Sequence, residues 1–143
     1  MKVKFKTSKG DMVAELFNDA TPKTVANFVK LISEGFYESM KFHRVIPNFM
    51  IQGGCPEGTG RGGSGTTIMC EHNGAEKQIH DRGTLSMAHA GPNTGSSQFF
   101  ICHSRTGTQH LDGVHTAFGK VTEGLDILNI IRQGDSFSIS LIK

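Results

Sequence analysis

Residues 42–54, FHRVIPNFMIQGG, set one guanidinium, that of Arg44, inside an otherwise apolar run. A charge withdrawn from water without a partner costs several kcal/mol or more, so such an arginine either keeps its head wet at a lip or is held for use. Side chains alternate along a strand, which predicts Phe42, Arg44 and Ile46 on one face. Beyond Pro47, Met50 and Gln52 share a face with each other, and Phe49 falls on the opposite face or at a bend. Gln98 and Phe100 repeat the combination of amide and aromatic on another strand. One arginine, two amides and several apolar side chains would then line a shallow patch, half dry and half polar. The chemistry open to such a patch is hydrogen-bond donation by a fixed cation beside an apolar group. Taken singly, these residues have ordinary explanations. An arbitrary arginine snorkels or pairs with a nearby acid; His43, His89 and His110 read as plain polar residues, and His115 as a hydrogen-bonded core histidine.

Other chemistries find less support. Gly58-Thr59-Gly60-Arg61-Gly62-Gly63 satisfies the G-x-G-x-x-G pattern, and Asp81 lies near the spacing of a ribose-binding acid. That pattern works only where its glycines open a helix onto a pyrophosphate, and Ser64-Gly65-Thr66-Thr67-Ile68 has no helical period. A mobile loop at the rim of a site is the better expectation. Cys70-Glu71-His72 lacks a second pair at zinc-ligand spacing. Cys102 and His103, neighbours on a strand, point to opposite faces and cannot easily act as nucleophile and base. Gly62-Gly63-Ser64-Gly65-Thr66 lacks the last glycine and the strand-to-helix setting of a nucleophile elbow. No metal, cofactor or covalent intermediate is expected.

The elements that must position Arg44 are mostly strands. Val3 and Phe5 alternate with lysines, Lys9-Gly10-Asp11 turns the chain, and Met12–Phe17 returns it, which predicts a hairpin. Thr21 as N-cap, Pro22 at the first helical position, and Val25, Phe28, Val29 and Ile32 on one stripe predict an amphipathic helix that stops at Gly35. A second short helix is expected from about Leu125 to Arg132, followed by Gly134. Between them, Phe42–Val45, Phe49–Ile51, Thr84–Ala88, Gln98–Cys102 and Val114–Val121 read as strands. Many short strands with two helices argue for a closed antiparallel barrel, because closure removes exposed edges.

The 143 residues suffice for a single domain, 1–143, and a chain of that size buries about two thirds of its unfolded surface. Fifteen Lys and Arg against thirteen Asp and Glu, spread along the chain, form no basic stripe, so nucleic acid is not an expected partner. Three cysteines and a start, MKVKFKTSKG, that alternates instead of forming an apolar segment point to free thiols in a reducing cytoplasm. No apolar run approaches the roughly 18 residues of a membrane helix, so a soluble protein is expected, and nothing signals an oligomer.

FHRVIPNFMIQGG, SMAHAGPNTGSSQFFI at 86–101 and LDGVHTAFGKV at 111–121 closely resemble the three signature segments of the cyclophilins, the peptidyl-prolyl cis/trans isomerases. With the hairpin and TPKTVANF also matching, the resemblance covers essentially the whole chain. It implies an all-β-dominated fold, an eight-stranded antiparallel barrel capped by two α-helices, and rotation about Xaa-Pro bonds of client proteins during folding. It implies Arg44 as the catalytic arginine, with Phe49, Met50, Phe100 and Leu111 as the proline pocket. Gln52, Gly60, Ala88, His89, Ala90 and Gln98 would line the groove for flanking peptide, and His115 would close the far side. Two positions depart from many cyclophilins: His110 replaces a tryptophan that helps to hold cyclosporin, and His89 replaces an asparagine. Reduced cyclosporin affinity is therefore expected; a monomer and no cofactor are expected as well. A noncatalytic proline-peptide module is the alternative, and a small-ligand barrel is weaker because side chains fill barrels of this size.

Overall fold

Alternation builds the first hairpin of the computed structural model, which describes residues 1–58, 63–71, 79–89 and 93–142. In β1 (Lys2–Thr7) and β2 (Gly10–Leu16), Val3, Phe5, Met12, Ala14 and Leu16 turn inward while the lysines of β1 stay in water. The other strands are β3 (Met40–Lys41), β4 (Arg44–Ile46), β5 (Met50–Gly53), β6 (Thr84–Met87), β7 (Phe99–Cys102), β8 (Ala117–Glu123) and β9 (Ser136–Ile142). Every pairing is antiparallel, in the order β3-β9-β1-β2-β8-β6-β7-β5-β4. The two ends of that order are consecutive in the chain, joined by Phe42 and His43, so the curled sheet is brought round on itself by the chain. Nine strands with β3 and β4 taken as one bent segment are the eight expected.

The inner face holds the core. Phe5, Phe28, Tyr37, Phe99, Phe118 and Phe137 are wholly or almost wholly buried and meet edge-on or tilted, with centroids 4.9–6.4 Å apart. Such ring pairs add to the burial of their large apolar area. The Tyr37 hydroxyl donates to the Ser97 carbonyl at 2.7 Å, and burial pushes that phenol far above its ordinary pKa. Helix α1 (Pro22–Ser33) lays Val25, Phe28, Leu31 and Ile32 on this core.

Three local expectations differ. Thr21 precedes α1 but does not cap it, because its hydroxyl donates back to the Phe17 carbonyl at 3.0 Å. The cap comes from far along the chain: the Glu71 carboxylate accepts from the amides of Lys23 and Thr24 at 3.2 and 2.6 Å and from the Thr24 hydroxyl at 2.7 Å. Residues Leu125–Asn129 form a 3₁₀ turn instead of an α-helix. Gly124 enters it with φ 81°, and one short run of i→i+3 bonds buries Leu128 without enough length to propagate an α-helix. The second α-helix is α2 (Arg105–Thr108), one turn that packs near the site, and β3 and β9 lie outside the expected strands.

Removing a capping carboxylate exposes first-turn amides that no side chain of α1 satisfies. Glu71→Ala is expected to lower the free energy of unfolding by about 1–2 kcal/mol in urea titration, with an unchanged slope; an unchanged midpoint would show that the cap is dispensable.

Candidate active site

Strand register, more than any one residue, assembles the site. Arg44 stands opposite Gln52, Gln52 opposite Phe100, and Phe100 opposite Ser86, across β4, β5, β7 and β6. Paired residues point to one side of a sheet, and here that side is the outside. Their neighbours Ile51, Phe99 and Ile101 enter the main core, whereas Met50, Phe100, Cys102 and Leu111 form a second, smaller apolar cluster on the outer face. Over this cluster lies a cleft of about 260 Å³. Met50, Phe100 and Leu111 are its dry floor, Phe49 and Ala88 border it, and Arg44, Gln52, His89 and His115 complete the lining.

Phe42 departs from the expected face. The strand breaks after Lys41, so Phe42 turns inward and stacks on Phe137 at 4.3 Å while Arg44 points out. The Phe42 amide and carbonyl are bound by Asp135 and Gly134, which fixes the bend. Phe49 sits at a bend, as one of the two expected placements had it. Asn48 takes φ 64°, its amide donates to His103 Nδ1 at 3.2 Å, and its carbonyl accepts from the Ser104 hydroxyl at 2.9 Å. Gly107 of α2 lets this turn approach, since a Cβ there would collide with the Asn48 carbonyl oxygen.

The polar rim is built from paired side chains. Gln52 Nε2 donates to Gln98 Oε1 at 3.0 Å, so Gln98 supports the lining without being part of it. His115 Nδ1 donates to the Met87 carbonyl at 2.9 Å and His89 Nε2 to the Val114 carbonyl at 3.0 Å. The two imidazoles stack with centroids 4.1 Å apart. His110 is exposed outside the lining and stacks on Phe49 at 5.9 Å. Gly60 and Ala90 lie outside the described residues, as do the centre of the glycine-rich segment and His72.

Arg44 is exposed, and among the described residues its guanidinium has no hydrogen bond and no ion pair. No paired acid accounts for it; the guanidinium stays in water at the lip of the cleft, which is where a snorkelling arginine would keep it. Asp112, next in the chain to Leu111 of the lining, is committed elsewhere: burial pushes its carboxyl up, but the His80 amide, Arg105 and the His80 ring outweigh this and hold it below the ordinary range. Burial, with Arg44 adding to it, pulls the His43 imidazole down. Burial pushes the Cys102 thiol up to about 12 against a Thr108 hydrogen bond, which leaves it unsuited to nucleophilic work near neutral pH. The site therefore offers an unpaired, exposed cation, a dry floor and a polar rim on the outside of a curled antiparallel sheet.

Residues 2–140 match the family described as "Cyclophilin type peptidyl-prolyl cis-trans isomerase/CLD". The chain is 58% identical over 121 residues to a Bacillus subtilis protein named peptidyl-prolyl cis-trans isomerase B, covering 85% of this chain and 82% of that one. It is 56% identical over 131 residues to a Synechococcus elongatus peptidyl-prolyl cis-trans isomerase, covering 90% and 87%. A Cryptosporidium parvum cyclophilin-type isomerase, crystallised in the presence of the dipeptide Ala-Pro, superposes with a TM-score of 0.90 at 35% identity, covering 100% of this chain and 99% of that one. The chain belongs to the cyclophilin-type peptidyl-prolyl cis-trans isomerase family.

Cys55 and Cys102 are buried and Cys70 is partly exposed, and none of the three is in a disulfide. A thiol reagent near neutral pH is expected to modify Cys70 alone in the native protein, read by mass spectrometry; rapid modification of Cys102 would contradict the packing of the outer cluster.

Proposed function

We infer that the outer cleft binds an Xaa-Pro segment of a client protein and that Arg44 accelerates rotation about its prolyl bond. The observation that carries this is the unpartnered guanidinium beside a dry floor, in one cross-strand row with Gln52 and Phe100. The prolyl amide is planar by resonance, with a barrier of about 18–20 kcal/mol, and its isomers exchange over tens to hundreds of seconds. No bond has to break. As the amide twists, its nitrogen loses conjugation and recovers a lone pair, and a donor placed beside it stabilises the twisted form more than the planar one.

Magnitudes require more than the arginine. Exchange on a millisecond scale needs about 10⁴-fold, or ~5–6 kcal/mol, while a charge-assisted hydrogen bond contributes ~1.5–3 kcal/mol. The remainder falls to the floor. Phe49, Met50, Phe100 and Leu111 strip water from the amide, which disfavours the more dipolar planar form and strengthens the donor. Gln52, held by Gln98, and the edge at Ala88 and His89 grip one side of the peptide while the other turns. His115 closes the cleft opposite Arg44. On this reading residues 1–143 act as one isomerase domain that assists folding, and three cysteines outside any disulfide fit a reducing cytoplasmic setting. Among the described residues no helix is long and apolar enough to cross a membrane.

Two outcomes follow. Arg44→Lys keeps the charge but loses the planar fork, so it is expected to fold normally and lose most turnover in a proline-peptide assay; near wild-type turnover would sink the mechanism. Because His110 stands in place of the cyclosporin-holding tryptophan, His110→Trp is expected to tighten cyclosporin binding by calorimetry, and an unchanged affinity would remove that position from drug recognition.

A further inference from the structure

Beneath the cleft lies a buried polar chain that the proposed mechanism does not use. Ser86 continues the row Arg44, Gln52, Phe100, and it is covered by His80; neither has any exposed surface. His80 Nε2 lies 2.7 Å from the Ser86 hydroxyl and His80 Nδ1 lies 3.2 Å from Asp112 Oδ1. Asp112 pairs with Arg105 at 2.7 Å, and the Ser86 hydroxyl lies 3.1 Å from the Thr116 carbonyl. A carboxylate only accepts, so Nδ1 is the nitrogen that donates to Asp112. The order of residues is that of a serine nucleophile with its base and orienting acid, but the Ser86 hydroxyl gives its one proton to the Thr116 carbonyl and not to His80. No substrate carbonyl can reach a serine without exposed surface, so acyl transfer is excluded here.

What the chain fixes is position. The His80 ring lies nearly parallel to Phe100, with centroids 6.0 Å apart, and Phe100 meets His115 edge-on at 5.4 Å. The His80 amide donates to Asp112 Oδ1 at 2.7 Å, and its carbonyl accepts from the Thr108 hydroxyl at 2.8 Å and from Arg105 at 3.2 Å. These bonds secure the turn 105–112, which presents Leu111 to the cleft. Through Ser86 the ring also reaches Thr116, next in the chain to His115. The Leu111 turn is thus held by the His80 main chain, with one added bond from ring Nδ1 to Asp112, while the floor at Phe100 and the Ser86 contact depend on the His80 ring itself, which touches no substrate.

We propose that His80 is a positioning residue of the isomerase, holding Phe100 and Leu111 at the depth at which a twisted prolyl ring faces Arg44. This rests on the reading of the cleft given above. Peptide binding in the ground state is spread along the groove, whereas the fit of floor to cation is required at the transition state. Loss of the His80 tether is therefore expected to act on kcat more than on KM, since a misplacement of about 1 Å can cost about 10²-fold in rate.

His80→Phe keeps a ring beneath Phe100 and removes both nitrogens. Exchange between cis and trans forms of a short proline peptide, followed by NMR at limiting and saturating peptide, is expected to show kcat lowered about 10-fold or more and KM nearly unchanged. A folded variant with wild-type kcat, or with only KM raised, would overturn the inference. Should His80→Phe fail to fold, Ser86→Ala deletes one hydroxyl, and the same fall in kcat without a rise in KM is expected; wild-type kcat in that variant would overturn the inference equally. A wild-type protein that binds the peptide without accelerating exchange would overturn the isomerase reading and this inference together, whereas an active wild type with an indifferent variant overturns this inference alone.

Discussion

Everything at the cleft depends on the hydrogen-bonded register of β4, β5, β7 and β6. Because Arg44, Gln52, Phe100 and Ser86 are cross-strand neighbours, a shift of one residue in any pairing would send one of them to the opposite face. The register is secured from the other side. Ile51, Phe99 and Ile101 occupy the main core, and exposing any of them would forfeit about 1.5–3 kcal/mol of burial. The inner core thus holds the outer site in place, which is how residues that never meet a peptide decide where Arg44 stands.

The outer face is economical in charge. The carboxylates of Asp112 and Glu71 are both committed, one to Arg105 and His80 and the other to the first turn of α1. An acid free to reach Arg44 would pair with it and compete with a substrate nitrogen for its protons. The amides and imidazoles of the rim hold one another or backbone carbonyls instead, so the rim is ordered while the guanidinium stays available.

Much of this was legible from residue types. The two-residue period of a strand puts Met50 with Gln52 and Gln98 with Phe100, and it places the floor of the cleft on one face although all of β7 is apolar and buried. The same rule fails at Phe42, because the chain bends between β3 and β4 and the ring finds Phe137 in the core. Strand β9 carries the alternation Phe137, Ile139, Leu141 and was within reach of the same rule. The Leu125–Arg132 stretch shows the limit of helical periodicity: its apolar spacing is right, yet five residues entered from a left-handed glycine form only a 3₁₀ turn. Glu71 and His80 carry no local signal at all. Each acts on residues brought near by the fold, 47 positions away for Glu71 and Thr24 and 32 for His80 and Asp112. The cyclophilin signature segments point to Arg44 and its pocket, but not to the ring that supports the floor.

The central claim is that Arg44 interacts with the twisted amide more strongly than with the planar one. It is tested most directly by measuring, on one Xaa-Pro peptide, both the dissociation constant and the exchange rate at saturation for the wild type and for Arg44→Ala. The account predicts that saturated exchange collapses toward the uncatalysed rate while affinity changes little. Affinity and rate lost in equal proportion, or rapid exchange at saturation in the variant, would contradict it.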